Sequence, residues 1–155
     1  MGVLGRALCV GLFVSAAGAA SAQGVDILEG DDRLACEAIM CLASANPPHE
    51  CRPSIRRLFD IRRHRDRVRF LRGCPQTEGD ENMESLAQVT AAAWPTCTSE
   101  WLNRNHVYYQ GDNGPFVQNR LPVACASHNA HPYTEARAMP RYVGEPEAGG
   151  RWVDR

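Results

Sequence analysis

The spacing of the cysteines constrains the fold of this 155-residue chain more than any other feature of its sequence. One cysteine lies in an N-terminal apolar stretch, and the other six are spread over the residues that follow: Cys36, Cys41, Cys51, Cys74, Cys97 and Cys125. An even number of cysteines in an exported chain is typical of a disulfide framework formed in an oxidising compartment. We therefore expect three disulfides to determine which segments of the chain lie together.

The first 22 residues have the features of a cleaved signal peptide. A single basic residue, Arg6, precedes the uncharged apolar stretch 7–20, and small side chains at Ala20 and Ala22 occupy the positions that a signal peptidase reads. A membrane-spanning helix needs roughly 20 apolar residues, so this stretch is too short to remain as an anchor. We predict cleavage before Gln23, and no later stretch is long enough for an integral membrane span.

Residues 23–155 have a length suited to a single domain that buries its own hydrophobic core. The chain contains no lysine, so all 17 of its positively charged side chains are arginines, and its formal net charge is −1. These features argue against a cytosolic enzyme, a membrane channel and a disordered tail. We predict one soluble, disulfide-stabilised domain that follows the signal peptide.

Apolar periodicity predicts helices in the first two thirds of this domain. Residues 34–43 are apolar around almost the whole helical wheel, which is typical of a central helix, and Asp31 or Asp32 is a suitable N-cap. The block 53–73 carries two apolar stripes on different helical faces, which indicates two short helices joined by a bend. A further helix begins in the acidic run 78–84 and ends at proline 95.

The last third of the chain contains more aromatic residues, glycine and proline, so we expect it to be rich in loops. The run Gly111-Asp-Asn-Gly is a turn sequence between the apolar segments 107–109 and 116–117, which indicates a hairpin. Gly149 and Gly150 separate two similar segments near the end of the chain. The prediction is a small, mainly α domain with a loop-rich C-terminal third that can contain short β-hairpins.

Helical geometry limits how the cysteines can pair. Cys36 and Cys41 lie five residues apart on one predicted helix, so their Cα atoms are more than about 7 Å apart and their side chains point in different directions. Geometry excludes a disulfide between these two, and the Cys-x4-Cys spacing argues against a redox or zinc motif. The short loop between Cys41 and Cys51 favours a bond between these two; Cys74 would then bond to Cys36, which leaves Cys97 with Cys125.

The most unusual polar feature is the block between Arg52 and Arg72, where nine arginines meet only two aspartates. It is either a solvated surface or a contact face, since guanidinium groups bind the carboxylates and phosphates of proteins, lipids, cell-wall polymers and DNA. No aromatic side chains interleave with the arginines, so we expect no direct binding of nucleic acid. The candidate contact residues are Arg57, Arg62, Arg63, Arg65, Arg67 and Arg69.

Two further patterns could be catalytic or metal-binding sites. Cys125, His128 and His131 have a metal-like spacing, but they supply too few zinc ligands once the cysteine is paired. Glu37, the only charge on the apolar helix, could be a general acid with a raised pKa, although an ion pair with an arginine is the simpler interpretation. There is no nucleophile elbow and no glycine-rich phosphate loop. We therefore predict no catalytic residue, metal or cofactor.

Several segments carry a resemblance to a known family: Leu34-Ala-Cys-Glu-Ala-Ile-Met-Cys-Leu, His49-Glu-Cys-Arg-Pro-Ser-Ile-Arg-Arg-Leu-Phe, Phe70-Leu-Arg-Gly-Cys-Pro, Tyr133-Thr and residues 140–154. In these segments the sequence resembles the TrbM/KikA family of conjugal transfer proteins. The resemblance covers most of the chain after the leader. It implies a small exported protein that is encoded with conjugative type IV secretion components, and it brings no established catalytic residues.

The resemblance and the sequence features together predict a periplasmic accessory protein of mating-pair formation that acts by binding. Its partners would be other envelope proteins of the conjugation or secretion machinery. The alternative is an enzyme, an envelope hydrolase that opens the cell wall for this machinery with Glu37 as its acid.

Export generates the first testable prediction. Because the leader ends in a peptidase site, a fractionated donor cell should contain the protein in the periplasm, with its N-terminus at or near Gln23. N-terminal sequencing or intact-mass measurement of the fractionated protein checks this. A chain that keeps residues 1–22 and stays in the cytoplasm would overturn both the compartment and the reason for expecting disulfides.

Overall fold

The computed structural model describes residues 28–135 and 140–154, and the predicted signal peptide lies outside these residues. The described part contains six α-helices and two antiparallel hairpins, which confirms the predicted mainly α class. The helices are α1 Gly30–Ala43, α2 Arg52–Phe59, α3 His64–Leu71, α4 Glu81–Ala93, α5 Ser99–Asn105 and α6 Val123–Asn129. The strands are β1 Val107–Tyr109, β2 Pro115–Val117, β3 Arg141–Val143 and β4 Arg151–Val153.

Helix α1 lies at the centre of the first four helices and contacts α2, α3 and α4. Its buried side chains are mostly small, with Ala35 and Ala38 beside Ile39 and Leu42, so the neighbouring helices can approach it closely. They meet α1 through the buried leucines 58, 71 and 86. The predicted central helix is thus the one around which the main core forms.

The predicted N-cap of α1 was wrong. The helix begins at Gly30 with Glu29 as its N-cap, so Asp31 and Asp32 lie inside the first turn. Carboxylates there still favour the helix, because they face the positive end of its dipole. Asp31 also accepts two hydrogen bonds from the guanidinium of Arg57 on α2, at 3.1 and 2.7 Å. That interaction lowers the pKa of Asp31 and raises the pKa of Arg57.

The arginine-rich block forms two short helices with a bend between them, as predicted. Helix α2 ends at Phe59 and α3 begins at His64. The third predicted helix corresponds to α4, which is capped by Asp80: its carboxylate accepts hydrogen bonds from the backbone N–H groups of Asn82 and Met83. Its inward face packs Leu86, Ala87 and Ala91 into the main core.

Three disulfides join these elements, and their pairing is the one favoured from sequence. Cys36–Cys74 and Cys41–Cys51 both start on α1, and they attach it to the segment before α4 and to the start of α2. Cys97–Cys125 ties the segment after α4 to α6. The first two disulfides hold the main core together, and the third closes a smaller cluster around Ala93.

The C-terminal third is more regular than predicted, because it contains α5 and α6 in addition to both expected hairpins. Strand β1 pairs with β2 through Val107 opposite Val117, and β3 pairs with β4 through Tyr142 opposite Trp152. Both unpredicted helices have only seven residues, too few to show a clear apolar period. Within the described residues, no helix is long and apolar enough to cross a membrane.

One asparagine fastens the last strand to α5. The side chain of Asn103 accepts a hydrogen bond from the backbone N–H of Trp152 at 2.7 Å and donates one to its carbonyl at 2.8 Å. The indole of Trp152 is buried, donates to the carbonyl of Gln118 at 2.9 Å and meets the ring of Tyr142 edge-on. The end of the described chain is thereby attached to both hairpins and to α5.

The loop lengths of the two α1 disulfides give a second prediction. The bonded residues are separated by 38 positions in Cys36–Cys74 and by 10 in Cys41–Cys51. Each disulfide should contribute roughly 2–4 kcal/mol by restricting the unfolded chain, and the longer loop about 1 kcal/mol more than the shorter one. Replacing each pair by alanine and measuring the free energy of unfolding in guanidinium chloride, without reductant, tests the order. Equal losses, or a larger loss for Cys41–Cys51, would contradict it.

Candidate functional site

The nine arginines from Arg52 to Arg72 have different environments. Arg57 is bound to Asp31, Arg72 pairs with Glu84 on α4, and Arg69 lies 3.6 Å from Asp66 on its own helix. These ion pairs engage three of the nine arginines, and two of the acidic partners, Asp31 and Glu84, lie outside the block. The candidate contact face is therefore smaller than the set of arginines that suggested it.

Arg67 serves the backbone of the bend. Its guanidinium donates hydrogen bonds to the carbonyls of Ile61 and Arg62, at 3.1 and 3.0 Å, and to the carbonyl of Ala91 on α4 at 2.9 Å. Partial burial lowers the pKa of this guanidinium. One planar group with several donors thus joins the bend to α4, which a lysine ammonium could not do with the same geometry.

Three of the candidate residues remain exposed at the bend: Arg62, Arg63 and Arg65, which we call the arginine bend. None of them forms an ion pair with a described residue, and neither do Arg52 and Arg56 on the exposed side of α2. A cluster of uncompensated guanidinium groups attracts carboxylates or phosphates and can bind them with paired hydrogen bonds. The arginine bend is the strongest candidate contact site among the residues singled out from sequence.

Glu37, the carboxylate considered as a general acid, forms an ion pair with Arg33 one turn earlier on α1. The pair lies at the partly exposed edge of the helix, and the glutamate side chain keeps 36% of its surface accessible. A partly exposed carboxylate that is bound by an arginine lacks the apolar enclosure in which carboxyl groups act as general acids. The geometry favours the simpler interpretation of this residue.

The residues with metal-like spacing are used for packing. Cys125 is bonded to Cys97, and His128 is buried on α6 with its ring edge-on to the indole of Trp94, at 6.0 Å between centroids. The Nδ1 atom of His131 accepts a hydrogen bond from the backbone N–H of Tyr133 at 3.2 Å. Within residues 28–135 and 140–154, no group of three histidine, cysteine, aspartate or glutamate side chains could hold a metal ion.

A second surface was not singled out from sequence: a groove of about 620 Å³ between α1, α4 and the segment after α6. Its lining consists of Met40, Met83, Leu86, Pro132, Tyr133, Thr134 and Glu135. Residues 132–135 are anchored beside the end of α1, because the carbonyl of Ala43 accepts hydrogen bonds from the Thr134 hydroxyl and from the backbone N–H of Glu135. The lining comes from three distant segments, so no local motif signalled it.

A family model described as TrbM matches residues 27–155 of the chain. No curated protein and no solved structure matches the chain.

The buried histidine gives a third prediction, which concerns pH. Burial lowers the pKa of His128 below its ordinary value of 6.5, with a smaller contribution from neighbouring His131, while a hydrogen bond with Asn129 acts in the opposite direction. Between the lowered pKa of His128 in the folded protein and pH 6.5, the unfolded chain therefore binds more protons than the folded one. The free energy of unfolding should be highest above about pH 6.5 and fall as the pH drops through the folded pKa.

The variant His128→Gln should show a smaller difference between the free energies of unfolding at about pH 7.5 and pH 5.5, measured by denaturant titration. Some difference should remain, because burial also lowers the pKa of His131. The matched control is His49→Gln, a substitution at an exposed histidine, which should keep the full pH dependence. An unchanged pH dependence in His128→Gln would contradict the assignment.

Proposed function

The chain belongs to the TrbM family, whose members are connected with conjugation, and we propose that it is an exported accessory component of a conjugative type IV secretion system. In this proposal it acts in the periplasm by binding other envelope proteins of the machinery. The observation that carries the proposal is the combination of the family match with a framework of three disulfides. Such a framework forms and persists in an oxidising compartment and is rare in the cytosol of mesophiles.

The arginine bend is the proposed contact with an acidic partner protein. Its backbone is fixed by Arg67, so the three exposed guanidinium groups project from an ordered support. Ordered charges lose less conformational freedom on binding than charges on a mobile loop. Exposed charges of one sign also raise the rate at which a partner of the opposite sign associates.

We also propose that the protein acts without catalysis. Glu37 is paired with Arg33, and among the described residues no second acidic side chain contacts it through a hydrogen bond. The wall-cleaving alternative requires a protonated acid at this position, together with a second carboxylate to stabilise or attack the sugar. Binding needs neither.

The fourth prediction tests the contact site. Arg63→Glu combined with Arg65→Glu should lower the frequency of plasmid transfer at least about tenfold in a deletion strain complemented with the variant, because the reversed charges repel an acidic partner. Exposed substitutions usually change stability by less than about 0.5 kcal/mol, so protein levels should stay normal. The matched control is Arg120→Glu combined with Arg141→Glu, which reverses two exposed arginines elsewhere and should leave transfer unchanged.

The mating experiment also separates binding from catalysis. Glu37→Gln keeps the size of the side chain and removes its charge, so transfer should stay near the wild-type frequency if the protein binds without catalysing a reaction. Normal transfer with both bend charges reversed would reject the arginine bend as the contact. Loss of transfer in Glu37→Gln at normal protein levels would favour the wall-cleaving enzyme, which a zymogram on cell-wall material would then detect.

A further inference from the structure

The groove between α1 and α4 exposes apolar side chains together. Leu86 is almost fully buried and lies at its floor, whereas Met40 and Tyr133 keep 62% and 45% of their surfaces accessible at its sides. Methionine is flexible and polarisable, so Met40 and Met83 can adapt to apolar side chains of different shapes. A concave apolar surface of this kind loses unfavourable contact with water when another apolar group fills it.

One side of the groove carries an acidic side chain. Glu135 lines the groove, and the hydroxyl of Tyr133 lies 3.4 Å from the Asp80 carboxylate, which places a second acid close by. Neither carboxylate forms an ion pair with a described residue, and none of the described residues that line the groove is basic. Asp80 caps α4, so the positive end of the helix dipole partly balances the negative charge of its carboxylate. The negative charge of Glu135 is therefore less compensated than that of Asp80.

The apolar lining and the acidic side chains together indicate which kind of partner fits the groove. Acidic side chains attract a segment that carries arginine or lysine and repel an anionic lipid surface. A second copy of the chain would bring its arginine bend, but the apolar neighbour of that bend, Ile61, is half-buried and offers no exposed anchor. The groove therefore needs a partner that supplies a large apolar side chain and a positive charge together.

We propose that this groove is a docking site for a peptide segment of another protein, in which a leucine, phenylalanine or methionine anchor is flanked by arginine or lysine. The anchor lies against Met40, Met83 and Tyr133, and the basic side chain faces Glu135. This contact goes beyond the proposed function, because it uses a different surface and a partner segment of the opposite charge from the one that the arginine bend attracts.

The groove and the arginine bend lie toward opposite ends of α4. Met83 and Leu86 line the groove near the start of the helix, whereas Arg67 ties the bend to the carbonyl of Ala91 near its end. At a rise of 1.5 Å per residue, Met83 and Ala91 are separated by about 12 Å along the helix axis. The groove and the arginine bend are therefore separate surfaces.

The test is a binding titration of the oxidised protein with synthetic peptides, followed by fluorescence anisotropy. One set of peptides combines leucine, phenylalanine or methionine with arginine at helical and at alternating spacings, and the matched set has glutamate in place of each arginine. The best basic peptide should bind at least about tenfold more tightly than its acidic counterpart. Its affinity should fall about tenfold in Met40→Gln, which removes the exposed anchor contact.

Two further variants make the result specific. Val123→Gln replaces an apolar side chain that is even more exposed, at 83%, but lies on α6 outside the groove, so it should leave the affinity unchanged. Glu135→Gln should weaken binding of the basic peptide and reduce its dependence on salt. The unfolding midpoint of each variant, measured in the same buffer, shows that the fold is intact.

The docking proposal is overturned if no basic peptide binds, if basic and acidic peptides bind equally, or if Met40→Gln behaves like Val123→Gln. It is also overturned if the protein is a dimer that Met40→Gln dissociates, because a second copy would then occupy the groove. These outcomes leave the proposed function untouched, since the arginine bend is tested separately by plasmid transfer.

Discussion

The attachment of α1 by two disulfides is the constraint on which the rest of the structure depends. Cys36 and Cys41 project from one helix in different directions, so Cys36–Cys74 and Cys41–Cys51 hold separate neighbours against it. The interior that they enclose contains Ala35, Ala38, Ala43, Ala87 and Ala91 beside its leucines, and each alanine buries little apolar surface. Covalent restriction of the unfolded chain compensates for a small core, and it places α2, α3 and α4 where their polar faces can form a binding surface.

Much of the fold could be predicted from sequence, because its main elements have strong local signals. The apolar wheel of 34–43, the two stripes of the arginine block and the turn at Gly111 each specify a structure within a few residues. Five-residue spacing on a helix was enough to forbid a bond between Cys36 and Cys41. Helices α5 and α6 escaped prediction because a seven-residue helix has too few apolar positions to show a period, although Thr98 is an N-cap that could have marked the start of α5.

The candidate sites were harder to predict, because they depend on which charges are compensated by distant residues. Sequence showed nine arginines, but the partners of Arg57 and Arg72 lie 26 and 12 positions away, and Arg67 binds a carbonyl 24 positions away. Tertiary contacts alone reveal that Arg62, Arg63 and Arg65 form no ion pair with residues 28–135 or 140–154. The groove was missed for the same reason, since Met40 and Tyr133 are ordinary apolar residues until the fold brings them together.

The position of Trp152 near the end of the chain has a consequence for assembly. The contacts among α1 to α4 all lie between residues 30 and 93, so these helices can pack on one another before α6 and Thr134 add their contacts with α4 and Ala43. Asn103, in contrast, bonds the backbone of Trp152, and Gln118 and Tyr142 contact its indole, so these contacts form only after residue 152 has joined the rest. A chain translocated from its N-terminus would therefore mature vectorially, with the arginine bend in place first. A chain that stops before Trp152 would leave α5 and both hairpins without their common support.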